Sequence, residues 1–225
     1  MRHGDVEYFD GSGKPFRPDE VPLTERGRAQ AAAAGEILRD VPLDRAVASP
    51  LLRTLQTAEI VLADRGVPIE RDEAVREIAP GRLRDLAVDP ESIRRAFVDA
   101  FGVALDPQDR FLGGETFQSL LDRVHRWLDA FLADPQWRNA LIVAHGGVNR
   151  AILTRALGTG LAGFGRIEQD PACLNILDAD DQGRLLVRMI NFSPTNPPKR
   201  GHRLTTMEEL LCKYLGLDPD AASPA

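Results

Sequence analysis

Residues 140–144 form an uninterrupted apolar run, Ala-Leu-Ile-Val-Ala, and this run constrains the fold more than any other part of the sequence. Such a run is typical of a strand that is buried on both faces, as in a parallel sheet covered by helices. Before it, residues 116–132 place apolar side chains three and four positions apart, which indicates an amphipathic helix. After it, residues 148–157 predict a second helix, which Gly158 ends. The order of helix, buried strand and helix predicts an α/β protein.

Strands and helices alternate over most of the remaining sequence. The further predicted elements are strands at residues 45–48 and 67–70, a hairpin at residues 173–177 and 185–191, a helix that Thr24 caps and Pro42 ends, a helix that Pro50 opens and Gly66 ends, and helices at residues 91–101 and 206–215. Together they predict an α/β three-layer sandwich with a mostly parallel central sheet, helices on both faces and an antiparallel edge hairpin. We expect residues 1–225 to form one domain, with residues 196–225 as its C-terminal tail.

Composition and charge argue against several classes of protein. Of the 225 residues, 43% are hydrophobic and 28% are charged, which is typical of a globular protein. The formal net charge of -6 argues against nucleic acid or an anionic membrane as a partner. The two cysteines and four histidines are not spaced as metal ligands, so neither a metal nor a cofactor is expected. We expect a cytoplasmic protein that acts on a small molecule, and a homodimer formed through the exposed hairpin edge is an open possibility.

Two histidines and two arginines stand where predicted strands end. Arg2 and His3 open the chain, Arg53 lies in the first turn of a predicted helix, and His145 directly follows the buried strand. A cation in the first turn of a helix is unfavourable unless an anion compensates it. Ligands of parallel α/β sheets bind beyond the carboxyl ends of the strands. Two guanidinium groups and two imidazoles at that edge predict a pocket for a dianionic phosphate.

Six spaced motifs in the sequence resemble those of a known family. They are RHG at residues 2–4, LTERGRAQA at 23–31, SPLLRTLQTA at 49–58, REI followed by Gly at 76–81, GGET at 113–116, and AHGG at 144–147. In their order and over about residues 1–150 they resemble the histidine phosphatase superfamily, which includes the cofactor-dependent phosphoglycerate mutases and related phosphatases. The resemblance implies phosphoryl transfer through a phosphohistidine.

The resemblance also implies a role for each matching residue. His3 would be the nucleophile, Glu77 would be the general acid, and His145 would assist catalysis. Arg2, Arg53 and His145 would bind the transferring phosphoryl group. Positioning and charge neutralisation dominate phosphoryl transfer, so two arginines can supply the stabilisation without a metal. Glu77 must be protonated to donate, and apolar neighbours such as Ile78 and Pro80 would favour its neutral form.

Glu115 and Thr116 match a loop that lies on the substrate side in the family, so the resemblance implies that they contact the substrate. His125 is predicted to be solvated, because it falls on the polar side of its helix. His202 belongs to a basic run at residues 199–203 that we expect at the surface, although folding of this run over the pocket is an alternative.

Two departures from the family pattern bear on function. An apolar strand usually precedes RHG, whereas here only Met1 does, so we expect the natural start to lie upstream. Mutases of the family also carry Trp-Asn after RHG and Glu-Arg-His-Tyr-Gly around the acid, and residues 5–8 and 77–81 differ from both. The sequence therefore favours a metal-independent phosphomonoesterase over a phosphomutase. A catalytically idle phosphate-binding domain is the third hypothesis. No motif in the sequence identifies the substrate.

Overall fold

The computed structural model describes residues 1–10, 16–63, 65–81, 105–201 and 204–217. The predicted helix at 91–101 and His202 lie outside these residues. Five strands are described: β1 (Arg45–Ala48), β2 (Ile69–Arg71), β3 (Ala140–Val143), β4 (Leu174–Ala179) and β5 (Leu185–Phe192). The described helices are α1 (Glu25–Ile37), α2 (Leu52–Leu62), α3 (Phe117–Leu132), α4 (Gly146–Leu157), α5 (Gly160–Phe164) and α6 (Thr206–Tyr214).

The first three strands form a parallel sheet in the order β2-β1-β3. Ala46 lies opposite Leu141 across β1 and β3, which fixes the register of the two central strands. Residues 1–3 continue the sheet beyond β3, since Arg2 forms a parallel bridge with Ala144 and the His3 N–H donates to the Ala144 carbonyl at 3.0 Å. The start of the chain thus occupies a strand position between β3 and residues 172–173.

Helices cover both faces of the sheet, so that successive residues of β1 are buried against opposite layers. On one face, Ala48 of β1 and Val143 of β3 pack among the apolar residues of α1 and α2. On the opposite face, Val47 and Ala144 pack among those of α3 and α4. The predicted three-layer α/β sandwich is confirmed.

The hairpin and the last helix complete the structure. Strands β4 and β5 form an antiparallel sheet of their own, and hydrogen bonds from residues 172–173 to residues 2–3 connect it to the parallel sheet. Helix α6 packs Met207 into the same apolar cluster as α3 and α4. Residues 206–214 are therefore part of the packed structure, while a tail-like behaviour of the rest of 196–225 stays a prediction. No helix in the described ranges is long and apolar enough to cross a membrane.

Several element boundaries differ from the predicted ones. Thr24 caps α1 by accepting from the Gly27 N–H, as predicted, but α1 ends at Ile37, well before Pro42. Helix α2 begins at Leu52 rather than at Pro50, and it ends at Leu62, so Gly66 lies in the following loop. Helix α4 starts at Gly146, directly after His145, which brings its N-terminus to the predicted phosphate pocket. Gly158 ends α4 with a left-handed φ of 67°, as predicted.

Candidate active site

The carboxyl ends of three adjacent parallel segments meet at one edge of the sheet. His3 ends the N-terminal segment, Ser49 follows β1 and His145 follows β3, while Arg53 lies in the first turn of α2. The Arg53 Nε lies 3.3 Å from His3 Nε2, and the ring centroids of His3 and His145 are 5.3 Å apart. Together with Arg2, all four predicted phosphate-site residues are buried in one cluster.

The contacts of His3 determine which ring nitrogen carries its proton. His3 Nδ1 lies 2.7 Å from the Gly4 carbonyl oxygen, which can only accept, so Nδ1 must donate. The Arg53 Nε–H can only donate, so His3 Nε2 must present its lone pair. Burial lowers the pKa of His3 well below its usual value, and Arg53 and then Arg2 lower it further. His3 is therefore a neutral imidazole with an unprotonated Nε2, the form that a nucleophile requires.

His145 is held by a partner that the sequence did not predict. Its Nε2 lies 2.8 Å from the Ser49 hydroxyl, and both residues are fully buried. Burial lowers the pKa of His145 well below its usual value, and the nearby cations, Arg53 foremost, lower it further. When the Ser49 hydroxyl donates to Nε2, His145 carries its proton on Nδ1, where it is available to a ligand.

Arg2 is fixed by residues from the far end of the chain. Its Nη1 donates to the Gln169 carbonyl oxygen and, at 3.0 Å, to the Thr206 hydroxyl of α6. The Thr206 hydroxyl also lies 3.1 Å from a carboxylate oxygen of Glu168. These contacts restrain the guanidinium and leave its Nε unused.

Polar atoms without partners mark the cluster as a ligand site. Among the described residues, Arg2 Nε, His145 Nδ1 and Asn149 Nδ2 are buried side-chain atoms that make no hydrogen bond within the protein. An unsatisfied buried polar group costs about 1–3 kcal/mol. Two of the three belong to the cluster, and an anion with several oxygens could accept from both.

Glu77 lies at the N-terminus of α4, beside the cluster. Its Oε2 accepts from the Gly147 N–H at 3.1 Å, and its Oε1 accepts from the Ile78 N–H at 3.0 Å. A Cβ built on Gly146 would lie 4.0 Å from Glu77 Oε2 and 3.9 Å from Arg2 Nε, so both groups border the same small space. A Cβ on Gly147 would lie only 2.4 Å from Glu77 Oε1, so only glycine lets this carboxyl group sit there.

Arg150 is a third arginine at the site that sequence analysis missed. It is 6% exposed, and its Nη1 lies 3.3 Å from the position that a Gly146 Cβ would occupy. Its Nε donates to the Ile167 carbonyl at 2.6 Å, and its Nη2 lies 3.3 Å from Glu168. The spacing of five residues from His145 was the available signal, because it places Arg150 little more than one turn into a helix that begins at the site.

The structure gives Glu115 and Thr116 partners within the protein instead of placing them in the cluster. Glu115 accepts from Arg123 Nη2 at 3.1 Å and from the Ala79 N–H at 3.0 Å. Arg123 also donates to the carbonyl oxygens of Ala74 and Arg76, so this pair braces the segment that carries Glu77. Thr116 caps α3 by accepting from the Ser119 N–H at 3.1 Å. Substrate contact by either residue stays a prediction.

The remaining expectations about histidines and the basic run need one correction. His125 is half-buried rather than solvated, because its Nε2 lies 2.9 Å from the Ala151 carbonyl of α4. Of the basic run, Lys199 pairs with the carboxylate of Asp170, whereas Arg200 is exposed. Residues 202–203 lie outside the described residues, so folding of the run over the pocket stays a prediction.

Described residues of the loop after the N-terminal segment contact Arg53 and Arg76. Arg53 Nη1 donates to the Pro18 carbonyl at 2.8 Å, and the Arg53 guanidinium carbon lies 5.9 Å from the centre of the Tyr8 ring. Asp19 forms an ion pair with Arg76, which adjoins Glu77. Residues near the start of the chain therefore contact both Arg53 and the segment that carries the predicted acid.

Comparison with known proteins agrees with this geometry. Residues 1–191 match the family model of the histidine phosphatase superfamily (branch 1). The chain belongs to this superfamily. Over 164 residues it is 34% identical to a Salmonella paratyphi A protein named "Probable phosphoglycerate mutase GpmB", covering 70% of this chain and 73% of that protein. The superfamily's general mechanism passes through a phosphohistidine.

Solved structures of the superfamily are similar over most of the chain. The α-ribazole phosphatase of Shigella flexneri has a TM-score of 0.70 and 27% identity, and the match covers 85% of this chain and 94% of that one. YhfR of Bacillus stearothermophilus has a TM-score of 0.68 and 28% identity, with 84% and 93% covered. This histidine phosphatase superfamily enzyme thus has relatives named as phosphatases and relatives named as mutases.

The described part of this superfamily member contains no group of three or more His, Cys, Asp or Glu side chains placed to hold a metal ion. The positive charge at its catalytic edge comes instead from guanidinium groups. Arg2, Arg53 and Arg150 are all buried there.

Proposed function

We propose that this chain is a metal-independent phosphomonoesterase that hydrolyses a small phosphorylated metabolite through a phosphohistidine on His3. The observation that carries the proposal is the hydrogen bonding of His3, which leaves Nε2 unprotonated beside the Arg53 guanidinium. Without a phosphate, that guanidinium donates to the nucleophile itself. A bound phosphoryl oxygen would take over this donor and free the Nε2 lone pair for attack.

In the first step His3 Nε2 attacks phosphorus, the bond from phosphorus to the leaving oxygen breaks, and Glu77 gives its proton to that oxygen. In the second step water attacks phosphorus and the P–N bond breaks. The Glu77 carboxylate takes the water proton, and inorganic phosphate leaves. Arg2 and Arg53 neutralise the equatorial oxygens throughout and His145 donates a hydrogen bond to one of them, which meets the main requirement of phosphoryl transfer. Arg2 Nε and His145 Nδ1 are the donors that stand free for this purpose.

Phosphomutase activity is the second candidate, because relatives of about one-third identity are named as phosphoglycerate mutases. A mutase would follow the same first step and then return the phosphoryl group to another hydroxyl. The chemistry of the two reactions differs only in what attacks the phosphohistidine. The sequence departures at residues 5–8 and 77–81 favour water as the acceptor.

Rapid quenching in alkaline detergent after mixing with a ³²P-labelled phosphomonoester tests the proposal, because the P–N bond of a phosphohistidine survives alkali but hydrolyses in acid. We expect label on the protein within one turnover, its loss in His3→Ala, and its transfer to water as inorganic phosphate in buffer with EDTA. Label that appears in an isomer of the substrate would establish the mutase. Absence of labelled protein and of turnover over a panel of sugar phosphates, phosphoglycerates, nucleotides and phosphopeptides would establish an idle phosphate-binding domain. A location in the cytoplasm and a homodimer remain predictions.

A further inference from the structure

A cavity of about 410 Å³ lies apart from the catalytic cluster, between α1 and the loops on either side of the hairpin. Its lining includes Arg26, Gln30, Asp170, Ser193, Asn196 and Arg200. Among the described residues, the lining contains none of Arg2, His3, Arg53, Glu77 and His145. The volume falls within the range of about 300–1,000 Å³ that is typical of small-molecule sites.

The floor of the cavity is polar. Gln30, Asp170 and Ser193 are 6%, 6% and 4% exposed, respectively. The Asp170 carboxylate is already neutralised, because it pairs with Lys199. The floor therefore offers polar groups without an uncompensated negative charge.

The rim of the cavity is positive. Arg26 and Arg200 are exposed, and neither forms an ion pair with any other residue in the described ranges. A protein with a formal net charge of -6 has more than enough carboxylates to pair them. Each guanidinium group can donate two parallel hydrogen bonds to a pair of carboxylate or phosphate oxygens, so two such groups without ion-pair partners at one opening favour an anionic ligand. We propose that this cavity binds a small organic polyanion at a second site, separate from the phosphoryl-transfer centre.

Residues in both walls of the cavity lie next to hydrogen bonds that hold the backbone of residues 3–5, so a bound molecule would lie beside these hydrogen bonds. Gln30 Oε1 accepts from the Asp5 N–H at 2.9 Å, two residues after His3. On the other wall, Pro171 precedes Ala172, whose N–H donates to the His3 carbonyl at 2.9 Å. An anion that draws Arg26 and Arg200 together would press these two walls toward the backbone of His3.

Titration calorimetry of the full chain with citrate, which has no phosphoryl group to transfer, tests this site. We expect one citrate to bind, at least tenfold weaker binding in the Arg26→Ala/Arg200→Ala variant, and unchanged binding in Arg28→Ala, which removes another exposed arginine of α1. We also expect citrate to bind the Arg53→Ala variant, in which the phosphoryl site is impaired. In that variant, inorganic phosphate should compete with the bound citrate.

Three results would overturn the proposal. The first is that citrate does not bind the unaltered chain, and the second is that it binds the double variant as tightly as the unaltered chain. The third is that Arg53→Ala no longer binds citrate. Because the readout is heat of binding and not turnover, it is independent of whether the phosphatase proposal holds. Both substituted arginines are exposed, so circular dichroism should show a folded double variant.

Discussion

Gly147 is the residue whose substitution most directly separates catalysis from folding in this structure. In Gly147→Ala the new Cβ would lie 2.4 Å from Glu77 Oε1, whereas Cβ atoms essentially never come within 3.0 Å of another heavy atom and seldom within 3.4 Å. The carboxyl group must therefore retreat by about 1 Å and give up its hydrogen bond from the Gly147 N–H. The backbone itself accepts alanine, because Gly147 lies in the first turn of α4 without a positive φ.

The substitution should leave stability almost unchanged but lower activity strongly. Alanine in place of a helical glycine stabilises by about 0.5–1 kcal/mol, and the lost hydrogen bond costs about 1 kcal/mol, so the free energy of unfolding should barely change. A misplacement of about 1 Å in a catalytic group can lower the rate about 100-fold. That loss corresponds to about 2.7 kcal/mol in the barrier.

Two substrates with different leaving groups provide the assay. An alkyl phosphate needs a proton on its leaving oxygen, whereas p-nitrophenolate leaves without one. Gly147→Ala and Glu77→Gln should both lose about 100-fold in kcat/KM on glycerol phosphate but less than about tenfold on p-nitrophenyl phosphate, because kcat/KM reports the transfer to His3 and not the later step in which Glu77 takes the water proton. Gly146→Ala is the matched control, because its Cβ would stay 4.0 Å from Glu77 Oε2, and any loss should be equal on the two substrates.

The reasoning fails if Gly147→Ala retains full activity, or if it loses activity equally on both substrates. Either result would mean that the carboxyl group of Glu77 does not protonate the leaving oxygen from the position that the structure shows. A large fall in thermal stability would contradict the steric argument separately, since it would place the clash in the packing of α4 instead of at Glu77.

Three further predictions follow from the cluster. Burial lowers the pKa of His3 and His145, so below about pH 6.5 the unfolded chain binds more protons than the folded chain. The free energy of unfolding should therefore decrease as the pH decreases, by up to about 1.4 kcal/mol per pH unit for each histidine. Urea unfolding at pH 7.5 and 5.5 measures this decrease, and His3→Gln should make it smaller. Arg53→Lys should lower kcat on both substrates by about 10²–10³, because a lysine cannot bind two oxygens as a fork; an equal kcat would remove Arg53 from the mechanism. Ser49→Ala should lower the free energy of unfolding by about 1–3 kcal/mol by leaving His145 Nε2 unpaired, and calorimetry at pH 7.5 checks it.

The layered fold was predictable because the pattern of apolar residues reports burial directly. The run at residues 140–144 predicts a strand buried on both sides, and its alternate residues do pack on opposite helical layers. The strand at Arg45–Ala48 was predicted with its observed boundaries for the same reason. Helix ends were less predictable. Pro42 and Gly66 are compatible with a helix end, but α1 ends earlier, at Ile37, and α2 ends at Leu62, where the next residue, Ala63, has a positive φ of 38°.

The cluster itself was predictable from the motifs, but its supports were not. Arg2, His3, Arg53 and His145 meet as expected, because each lies next to a parallel strand end. Contacts between segments far apart in the chain have no local signal. Ser49 holds His145 from 96 residues away in sequence, and nothing in either motif reveals that distance of 2.8 Å.

Glu115 shows that a motif match does not reveal which residues of the protein a side chain contacts. Its motif matches a substrate-side loop of the family, yet its carboxylate binds Arg123 and the Ala79 N–H. A carboxylate eight positions before an arginine, across a helix start, gives no periodic signal for an ion pair. Arg123 of that pair also donates to the Ala74 and Arg76 carbonyls, so the pair supports the segment that carries Glu77, while substrate contact by Glu115 stays a prediction.

The last described helix lies beyond the residues that match the family model, yet it contacts the cluster. The family model matches residues 1–191, whereas α6 begins at Thr206. Nevertheless the Thr206 hydroxyl accepts from Arg2, and Met207 is buried in the main apolar cluster. Lys213 also forms an ion pair with Glu7, four residues after His3. Since α6 restrains both the anion-binding arginine and the loop after the nucleophile, a segment beyond the family match helps to set the geometry that the shared chemistry requires.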